Sequence, residues 1–409
     1  MISKEILDKI EKYDQKQLLR YYDEISEDEK KVFERQLEEL DFTYLDIYKM
    51  AGENAKKESV YEPIAAMKLG EINENKDAYE KIGIEAIKDT KVAAILLAGG
   101  QGSRLGFDKP KGMFNIGITK DVFIFERLIS NLLEVVNKAG CYIPLFIMTS
   151  EKNDSDTRAF FEEKNYFGYD KNFVHFFVQE MAPSIDYNGK FLMESKYKLS
   201  LSPNGNGGWF KSLMNSDVSD KFNEYGIEWL NVFAVDNVLQ RIADPVFIGA
   251  TIDSKKPSGA KVVRKASPDE RVGVVCKENN RPSIVEYYEL TKEMMEKKDE
   301  SGEPAYNYGV ILNYLFNFKE LCNIMNNKLT NHMAEKKITY IDDNGNVITP
   351  ESPNGYKFET LILDMINMLD DCLVFEVERN KEFAPIKNKT GVDSIDSARE
   401  LLKENNIEF

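Results

Sequence analysis

A glycine-rich loop that directly follows a short apolar segment most constrains the fold of this chain. The segment Val92–Leu97 is apolar throughout, and it continues into Ala98-Gly-Gly-Gln-Gly-Ser-Arg-Leu-Gly106. An unbroken apolar run of this length is typical of a strand buried on both faces of a parallel sheet. Glycines at its end let backbone N–H groups approach a ligand closely. The pattern therefore predicts a buried strand that turns into an anion-binding loop.

Further strand-like and helix-like segments alternate along the chain. Strands are predicted at 142–148, 173–178 and 229–235, and helices at 123–137 and 154–164. This alternation is typical of βαβ units and of a doubly wound α/β sheet.

Later segments predict additions to this sheet. Segments 259–264 and 272–276 are expected to pair with 283–288 as an antiparallel excursion, and a hairpin at 338–349 precedes a helix at 359–369. Together these patterns divide the chain into three predicted regions: a helical N-terminal region at 1–88, a central α/β domain at 89–330 and a small C-terminal α+β domain at 331–409.

Charge and composition exclude several classes of protein. The 409 residues include 54 Lys and Arg against 70 Asp and Glu, a net charge of −16. A chain this acidic lacks the basic stripe that nucleic acids require, so an anionic ligand needs a local cluster of cations and amides. With only two histidines a multi-histidine metal site is excluded, and His175 is expected in the core. Without a long apolar run, no membrane span is predicted, and we expect a cytoplasmic protein.

Two basic residues accompany the glycine loop. Arg104 lies within it, and Lys111 follows seven residues later. The glycines do not follow the dinucleotide pattern G-x-G-x-x-G or the P-loop pattern. A tight strand-to-helix turn would explain two of the glycines but neither cation. The arrangement favours a site for a triphosphate or pyrophosphate.

With its neighbouring segments, the loop resembles the signature of the UDP-sugar pyrophosphorylases, and within these the eukaryotic UDP-N-acetylglucosamine (UDP-N-acetylhexosamine) pyrophosphorylases. The resemblance extends over residues 90 to 390. Its other blocks are Phe177-Val-Gln-Glu-Met-Ala-Pro183, Ser202-Pro-Asn-Gly-Asn-Gly-Gly208, Ala234-Val-Asp-Asn237, Ala243-Asp-Pro-Val-Phe-Ile-Gly249, Gly273-Val-Val-Cys276, Ile284-Val-Glu-Tyr287 and Glu382-Phe-Ala-Pro-Ile-Lys387. It implies a Rossmann-like, GT-A-like nucleotidyltransferase fold with a helical N-terminal region and a small C-terminal domain.

The resemblance implies roles for particular residues. Arg104, Lys111 and Lys387 would act on the phosphates, and Gln179, Gly205 and Asn206 would contact uracil. The complete predicted nucleotide site is Leu97, Ala98, Gly99, Gly100, Gln101, Gly102, Gln179, Pro203, Gly205 and Asn206. A ligand-free hairpin turn would use the same residues at 203–206.

Asp236 is the predicted ligand of Mg²⁺. It follows a strand-like segment, at the edge where open α/β sheets bind ligands, and a carboxylate there suits a hard cation. It could instead, or in addition, cap a following helix. Asp364 is a weaker second candidate, with a position on a helix surface as the alternative.

The predicted sugar contacts are Gly273, Glu286, Asn307 and Val310. Relatives commonly have an Asn where this chain has Val310, although Asn307 and Asn313 lie nearby. Relatives also often have Phe at the positions of Leu361 and Leu363. The uridylyl chemistry is therefore better specified by the sequence than the sugar is.

These observations predict transfer of a uridylyl group from UTP to N-acetylglucosamine 1-phosphate, with release of pyrophosphate. The alternatives are formation of UDP-glucose or UDP-galactose on the same fold and a non-catalytic subunit that binds a nucleotide sugar. The glycine spacing argues against a Rossmann dehydrogenase. Nothing in the sequence determines the oligomeric state, and a monomer is the working expectation.

Overall fold

The computed structural model describes residues 2–53, 59–325 and 331–409. Its α-helices are α1 Lys4–Lys12, α2 Glu27–Glu39, α3 Thr43–Glu53, α4 Leu69–Lys88, α5 Ile124–Ala139, α6 Asp154–Glu163, α7 Trp209–Met214, α8 Lys221–Tyr225, α9 Pro245–Asp253, α10 Lys292–Glu296, α11 Phe318–Ile324, α12 Ile362–Met368, α13 Arg379–Glu382 and α14 Ile395–Glu404. Its β-strands are β1 Tyr61–Pro63, β2 Val92–Leu97, β3 Leu145–Thr149, β4 Val174–Val178, β5 Met181–Pro183, β6 Ile185–Asp186, β7 Met193–Ser195, β8 Lys198–Leu199, β9 Leu201–Pro203, β10 Trp229–Ala234, β11 Ser258–Arg264, β12 Val274–Glu278, β13 Arg281–Val285, β14 Tyr308–Asn317, β15 His332–Lys336, β16 Tyr340–Ile341, β17 Val347–Ile348, β18 Gly355–Glu359 and β19 Leu373–Glu376.

The chain forms two compact units, each assembled from separate stretches of sequence. The smaller unit comprises Met1–Glu58, Glu180–Gly208 and Leu329–Ile362, and the larger unit comprises Ser59–Gln179, Trp209–Lys328 and Leu363–Phe409. The three regions predicted from composition follow the chain in order, and their boundaries after residues 88 and 330 stay a prediction.

A ten-stranded mixed sheet forms the centre of the larger unit. Its strands follow the path β1-β12-β14-β10-β2-β3-β4, with β13 beside β12, β11 beside β14 and β19 beside β11. Strands β10, β2, β3 and β4 are parallel to one another. Strand β14 is antiparallel to β10, β11 and β12. The predicted mixed α/β sheet is confirmed.

Helices cover both faces of this sheet. On one face, Ile72 of α4, Leu128 of α5 and Phe247 of α9 join a single buried cluster with alternate residues of β2. On the other face, Phe146 of β3 stacks on Phe222 of α8, with ring centroids 4.7 Å apart. Strand β2 is consequently buried at every residue, which is why its sequence is apolar throughout.

The loop after β2 lies where the strand order reverses. The chain passes from β2 to β3 on one side, whereas β10 lies on the other side of β2. Leu97 is opposite Ala234 at the carboxyl ends of β2 and β10. Open α/β sheets bind ligands in the crevice at such a point.

The predicted antiparallel pairing is wrong for strand β11. Segment 259–264 was expected to pair with 283–288, but β11 pairs with β14 and β19 instead. Strands β12 and β13 do form the expected hairpin. Asn279 and Asn280 link them with positive φ angles of 50° and 67°, as two-residue hairpin turns require. Hydrophobic periodicity identifies strands but does not select their partners.

Two other boundaries differ from the predictions. The region 1–88 was predicted to be wholly helical, but it contains β1, which pairs with β12. The helix predicted to begin at Glu359 begins at Ile362, because Glu359 ends β18 and pairs with His332. Strand pairing with distant segments decides both cases.

The smaller unit has its own core. Ile10 of α1, Phe33 and Leu37 of α2, Phe191 and Phe358 are buried in one cluster. Helix α2 begins after Ser26, whose side chain and backbone form a capping box with Glu29. The predicted hairpin within 338–349 is present as β16 and β17.

Helices α4 and α9 cross at two glycines. A β-carbon on Gly83 would overlap the carbonyl oxygen of Pro245, and one on Gly249 would overlap the carbonyl oxygen of Tyr79. Both overlaps are with backbone atoms, which cannot rotate away. The close approach of these helices therefore depends on glycine at both positions.

Replacement of Gly83 by Ala should lower the free energy of unfolding by about 1–3 kcal/mol, because it overpacks this crossing. Gly70→Ala is the matched control: it lies in the same helix, with open space around its α-carbon. That change should be neutral or stabilising, by at most about 1 kcal/mol. Urea unfolding of both variants tests the pair, and equal midpoints would contradict the prediction.

Candidate active site

The glycine loop folds back on the segment that carries Lys111. The backbone N–H of Gly102 donates to the carbonyl oxygen of Lys109 at 2.9 Å, and that of Lys111 donates to the carbonyl of Gly100 at 3.2 Å. Lys111 begins a short 3₁₀ helix, Lys111–Met113. The two halves of the predicted phosphate site are therefore held together by backbone hydrogen bonds.

Asn153 holds the start of the loop from the neighbouring strand connection. Its buried side chain donates to the carbonyl oxygens of Ala98 at 3.0 Å and Gly100 at 3.4 Å. Asn153 directly precedes α6, but its side chain makes no capping hydrogen bond to that helix. Sequence reasoning missed its contact with the loop; the only signal was an Asn just after a buried strand.

Gln179 lies against the first glycine of the loop. A β-carbon on Gly99 would overlap the amide nitrogen of Gln179, so any larger residue there would have to displace this side chain. Gln179 follows β4, is 6% exposed, and its backbone N–H donates to the carbonyl oxygen of Thr149 at 2.9 Å. The side-chain oxygen of Gln101 is also buried, without a hydrogen-bond partner among the described residues. Two polar groups of the predicted nucleotide site thus lie in or beside the loop.

Lys111 and Asp236 form the charged centre of the site. Their Nζ and Oδ2 atoms are 3.9 Å apart, with side chains 12% and 23% exposed. Burial lowers the pKa of Lys111 from its ordinary value; Asp236 acts in the opposite direction, while the charges of Arg104 and Lys387 lower it further. The charges of Arg104 and Lys387 therefore reach Lys111, while the Nζ of Lys387 itself pairs with Asp393 at 3.2 Å.

A short antiparallel contact carries Lys387 to this centre. Ile386 donates its backbone N–H to the carbonyl oxygen of Asp236 at 2.9 Å. The buried side chain of Asn237 donates to the carbonyl of Glu382 at 2.7 Å and accepts from the N–H of Ala384 at 2.9 Å. Asn237 was part of a recognised block but had no predicted role. Its contacts make it a link between two segments of the site.

Asp236 is not the cap of the next helix. Helix α9 begins at Pro245, and its capping side chain is Asp244, which accepts from the N–H of Val246. This removes the alternative role considered for Asp236. Its carboxylate instead faces Lys111 at the carboxyl end of β10.

The residues present fit one Mg²⁺ held partly by substrate. Within 2–53, 59–325 and 331–409, no group of three or more His, Cys, Asp or Glu side chains is placed to hold a metal ion. A single carboxylate is nevertheless a common protein contribution where phosphates and water complete the shell of Mg²⁺. Asp364 lies in the first turn of α12. Burial raises the pKa of Tyr288, and the charges of Glu286 and, to a smaller extent, Asp364 raise it further. The role of Asp364 as a second ligand stays a prediction.

Three of the four predicted sugar contacts lie together. The backbone N–H of Val310 donates to the carbonyl of Gly273 at 2.9 Å. A β-carbon on Gly273 would lie 3.5 Å from Cγ2 of Val310 and 3.7 Å from Oε2 of Glu286. Asn307 precedes β14, and its backbone carbonyl accepts from Lys265.

Asn313 is excluded as a replacement for the missing polar sugar contact. It is fully buried, and its side chain is hydrogen-bonded to those of Asn231 and Gln240. Its amide groups are therefore hydrogen-bonded within the protein interior and do not face a sugar.

The asparagine-rich loop belongs to the smaller unit. Gly205 has φ 87° and faces the backbone of Thr360. The side-chain oxygen of Asn206 accepts from the N–H of Ile362 at 3.0 Å, and Pro203 ends β9. Because Gln179 belongs to the larger unit, joint binding of uracil by Gln179 and this loop stays a prediction.

His175 lies in strand β4, within the apolar run 173–177. His175 is half-buried beside Tyr225, with 3.1 Å between Nε2 and the hydroxyl oxygen, and burial lowers its pKa. It is a hydrogen-bonded residue of the sheet, but it is half-buried and does not lie in the core as predicted. Among the described helices, none combines the length and apolarity needed to cross a bilayer.

Comparison with known proteins identifies the family. Residues 30–408 match the family described as UTP–glucose-1-phosphate uridylyltransferase. The chain belongs to this family. The chain is 38% identical over 332 residues to the UDP-N-acetylglucosamine pyrophosphorylase of Saccharomyces cerevisiae, covering 78% of this chain and 69% of that protein. It is 35% identical over 401 residues to UDP-N-acetylhexosamine pyrophosphorylase-like protein 1 of Xenopus tropicalis, covering 93% and 78%.

Solved structures agree with this assignment. The crystal structure of the uridine diphosphate N-acetylglucosamine pyrophosphorylase of Trypanosoma brucei, in complex with an inhibitor, matches with a TM-score of 0.84 and 28% identity, covering 97% of this chain and 83% of that one. The UDP-glucose phosphorylase of the same organism matches with a TM-score of 0.64 at 17% identity, covering 86% and 75%, which shows the fold alone. The predicted uridylyltransferase family and nucleotidyltransferase fold are confirmed.

The lowered pKa of Lys111 predicts a pH dependence. If Lys111 acts as a cation, kcat/KM falls as the pH rises through its pKa, and that fall should begin below the ordinary lysine value of 10.5. Lys387→Met removes one of the charges that lower this pKa, so the alkaline fall in residual kcat/KM should move to higher pH.

Lys256→Met is the control for this pH profile. Lys256 pairs with Asp371 at 3.0 Å and is not among the charges that act on Lys111. Its profile should match that of the unmodified protein. A fall at the same pH in all three proteins would contradict the assignment.

Proposed function

We propose that this protein transfers the uridylyl group of UTP to N-acetylglucosamine 1-phosphate, producing UDP-N-acetylglucosamine and pyrophosphate. The observation that carries the proposal is the pair of Lys111 and Asp236 directly beside the glycine loop, where the charges of Arg104 and Lys387 also act on Lys111. Such a cluster suits two anionic substrates that must approach each other. Membership of the uridylyltransferase family supports the reaction class.

The reaction is a displacement at the α-phosphorus of UTP. A phosphate oxygen of the sugar 1-phosphate attacks this phosphorus, and the bond to the oxygen that bridges to the β-phosphate breaks. The electron pair of that bond leaves with pyrophosphate. The attacking group is already an anion, so no general base is required, and the protein has to align and screen its substrates.

Each basic residue has a proposed task in that alignment. Arg104 and the N–H groups of the loop hold the pyrophosphate portion. Lys111 and Lys387 offset the negative charge that develops on the phosphoryl oxygens. Electrostatic stabilisation of developing charge is usually the largest single contribution to catalysis. Burial of Lys111 strengthens this effect, because charges interact more strongly away from water.

Mg²⁺ is the proposed cofactor, with Asp236 as the protein ligand. When bound, it supplies Lewis-acid neutralisation of the phosphate oxygens. The ion pair with Lys111 keeps the Asp236 side chain near the predicted phosphate site. Asp364 remains a candidate second ligand.

N-acetylglucosamine is the proposed sugar because the relatives with 35–38% identity cited above are named for N-acetylhexosamine substrates. The proposed contacts are Gly273, Glu286, Asn307 and Val310. Val310 cannot hydrogen-bond to the sugar through its side chain, so formation of UDP-glucose or UDP-galactose is the second candidate. A site that lacks a polar contact discriminates less strongly between substrates.

The proposed contacts of uracil are Gln179 in the larger unit and Pro203, Gly205 and Asn206 in the smaller unit, as the family resemblance implies. The side chain of Gln179 lies against Gly99, Gly205 faces the backbone of Thr360, and Asn206 accepts from the N–H of Ile362. A cytoplasmic location and a monomeric state remain the predictions made from the sequence.

A pyrophosphate-release assay with UTP and a panel of sugar 1-phosphates tests the function. We expect turnover that requires Mg²⁺, stops with EDTA, and has a higher kcat/KM for N-acetylglucosamine 1-phosphate than for glucose or galactose 1-phosphate. A preference for glucose 1-phosphate would establish the second candidate. Binding of UDP-N-acetylglucosamine without any turnover would indicate a non-catalytic protein and contradict the proposal.

Arg104→Ala and Lys111→Ala should each lower kcat by about 10²–10³, the cost of losing one preorganised group that stabilises the transition state. Lys319→Ala, at a lysine of α11, is the control and should leave kcat unchanged. Near-normal kcat in both site variants would remove the basis for the proposed phosphate site.

A further inference from the structure

A lysine is fully buried in strand β11 between two carboxylates. The Nζ of Lys261 lies 2.6 Å from Oε2 of Glu382 and 2.8 Å from Oδ2 of Asp244, and it also donates to the carbonyl oxygen of Arg241 at 3.3 Å. The side chain of Lys261 is 0% exposed, and those of the two carboxylates are 6% exposed. None of these residues belongs to the predicted site.

The two carboxylates belong to different segments. Asp244 caps α9, a helix that packs against α4. Glu382 ends α13, and its carboxylate also accepts from the N–H of Arg241 at 3.4 Å. Lys261 therefore ties strand β11 to the start of α9 on one side and to the end of α13 on the other.

Glu382 is directly connected to the segment that carries Lys387. Its backbone carbonyl accepts from Asn237, the residue after Asp236. Two and four residues later, Ala384 and Ile386 bond to Asn237 and to the carbonyl oxygen of Asp236. Lys387 follows immediately, and its charge reaches Lys111. The Glu382 carboxylate thus lies at the start of the segment that ends at Lys387, whose Nζ also pairs with Asp393 at 3.2 Å.

Joining two elements through buried charges adds little net stability. The free energy lost when charges are removed from water is about as large as the free energy gained from their attraction, so apolar side chains of similar size would often hold the same elements at least as well. An ion pair adds direction, because a short hydrogen bond at 2.6 Å permits only a narrow range of positions. This favours a role in placement over a role in stability alone.

We propose that Lys261 is a positioning residue for uridylyl transfer: by binding Glu382 it sets the place of Lys387 beside Lys111 and Asp236. The inference rests on the proposed function, since it assigns Lys387 a task in that reaction. Lys261 itself touches no substrate. Its effect on catalysis passes through Glu382 and the segment 382–387.

A double-mutant cycle between Glu382→Gln and Lys387→Ala tests this connection. Glu382→Gln keeps the size of the side chain but removes its negative charge, so Lys261 loses this ion pair and remains paired with Asp244. Lys261→Met is less suitable, because it would leave two buried carboxylates without a counter-ion. We expect Glu382→Gln alone to lower kcat by about 10-fold, and to lower it by less than about 2-fold when Lys387 is already Ala.

Asp244→Asn is the matched control. It removes the other carboxylate of the same lysine, but it touches α9 and not the segment of Lys387. It should lower the Tm, as Glu382→Gln does, while kcat stays within about 2-fold of the unmodified protein.

The results that would overturn the positioning role differ from the result that would refute the proposed function. The same loss from Glu382→Gln in both backgrounds, or no loss in either, would overturn the positioning role while leaving the proposed function intact. A loss of kcat with Asp244→Asn equal to that with Glu382→Gln would assign the effect to general loss of structure and would also overturn it. An unmodified protein that makes no UDP-sugar would refute the proposed function, and this inference with it.

Discussion

Positive charge in an acidic protein has to be concentrated before it can hold a triphosphate. Here the concentration occurs around Asp236, where Lys111 lies 3.9 Å away and the charges of Arg104 and Lys387 are close enough to lower the pKa of Lys111. These charges disfavour the cationic form of Lys111, so the surrounding structure has to hold them in place. The parallel pairing of β2 with β10 and the contact between 382–386 and 236–238 provide that support.

The support is largely polar and buried, because the turn after β10 is irregular. Its carbonyl groups cannot pair within a strand or helix, and buried carbonyls need hydrogen-bond partners. Gln240 donates to the carbonyls of Ala234 and Asn237, on either side of Asp236. Asn237 and Lys261 bind the adjoining segment. The position of the charged centre therefore depends on several residues that no substrate would touch.

The candidate site was partly predictable from sequence. Arg104 lies within a glycine loop, Lys111 follows it, and Asp236 follows a buried strand, so local patterns were sufficient to select them. Lys387 required the family resemblance, because a single Lys after an apolar segment carries no signal of its own. Asn153 and Lys261 were missed for the same reason: each acts through a partner far away in the chain.

By itself, the sequence of this protein determined the elements and the class of chemistry. An unbroken apolar run predicted β2 over its observed residues, and the loop pattern indicated a phosphate site, because periodicity and glycine placement are local properties. Only the tertiary structure decided that β11 pairs with β14 and β19, that Asp244 and not Asp236 caps α9, and which side chains hold the site. These pairings and contacts join segments that are distant in sequence, and one amino-acid sequence has no periodic pattern that indicates them.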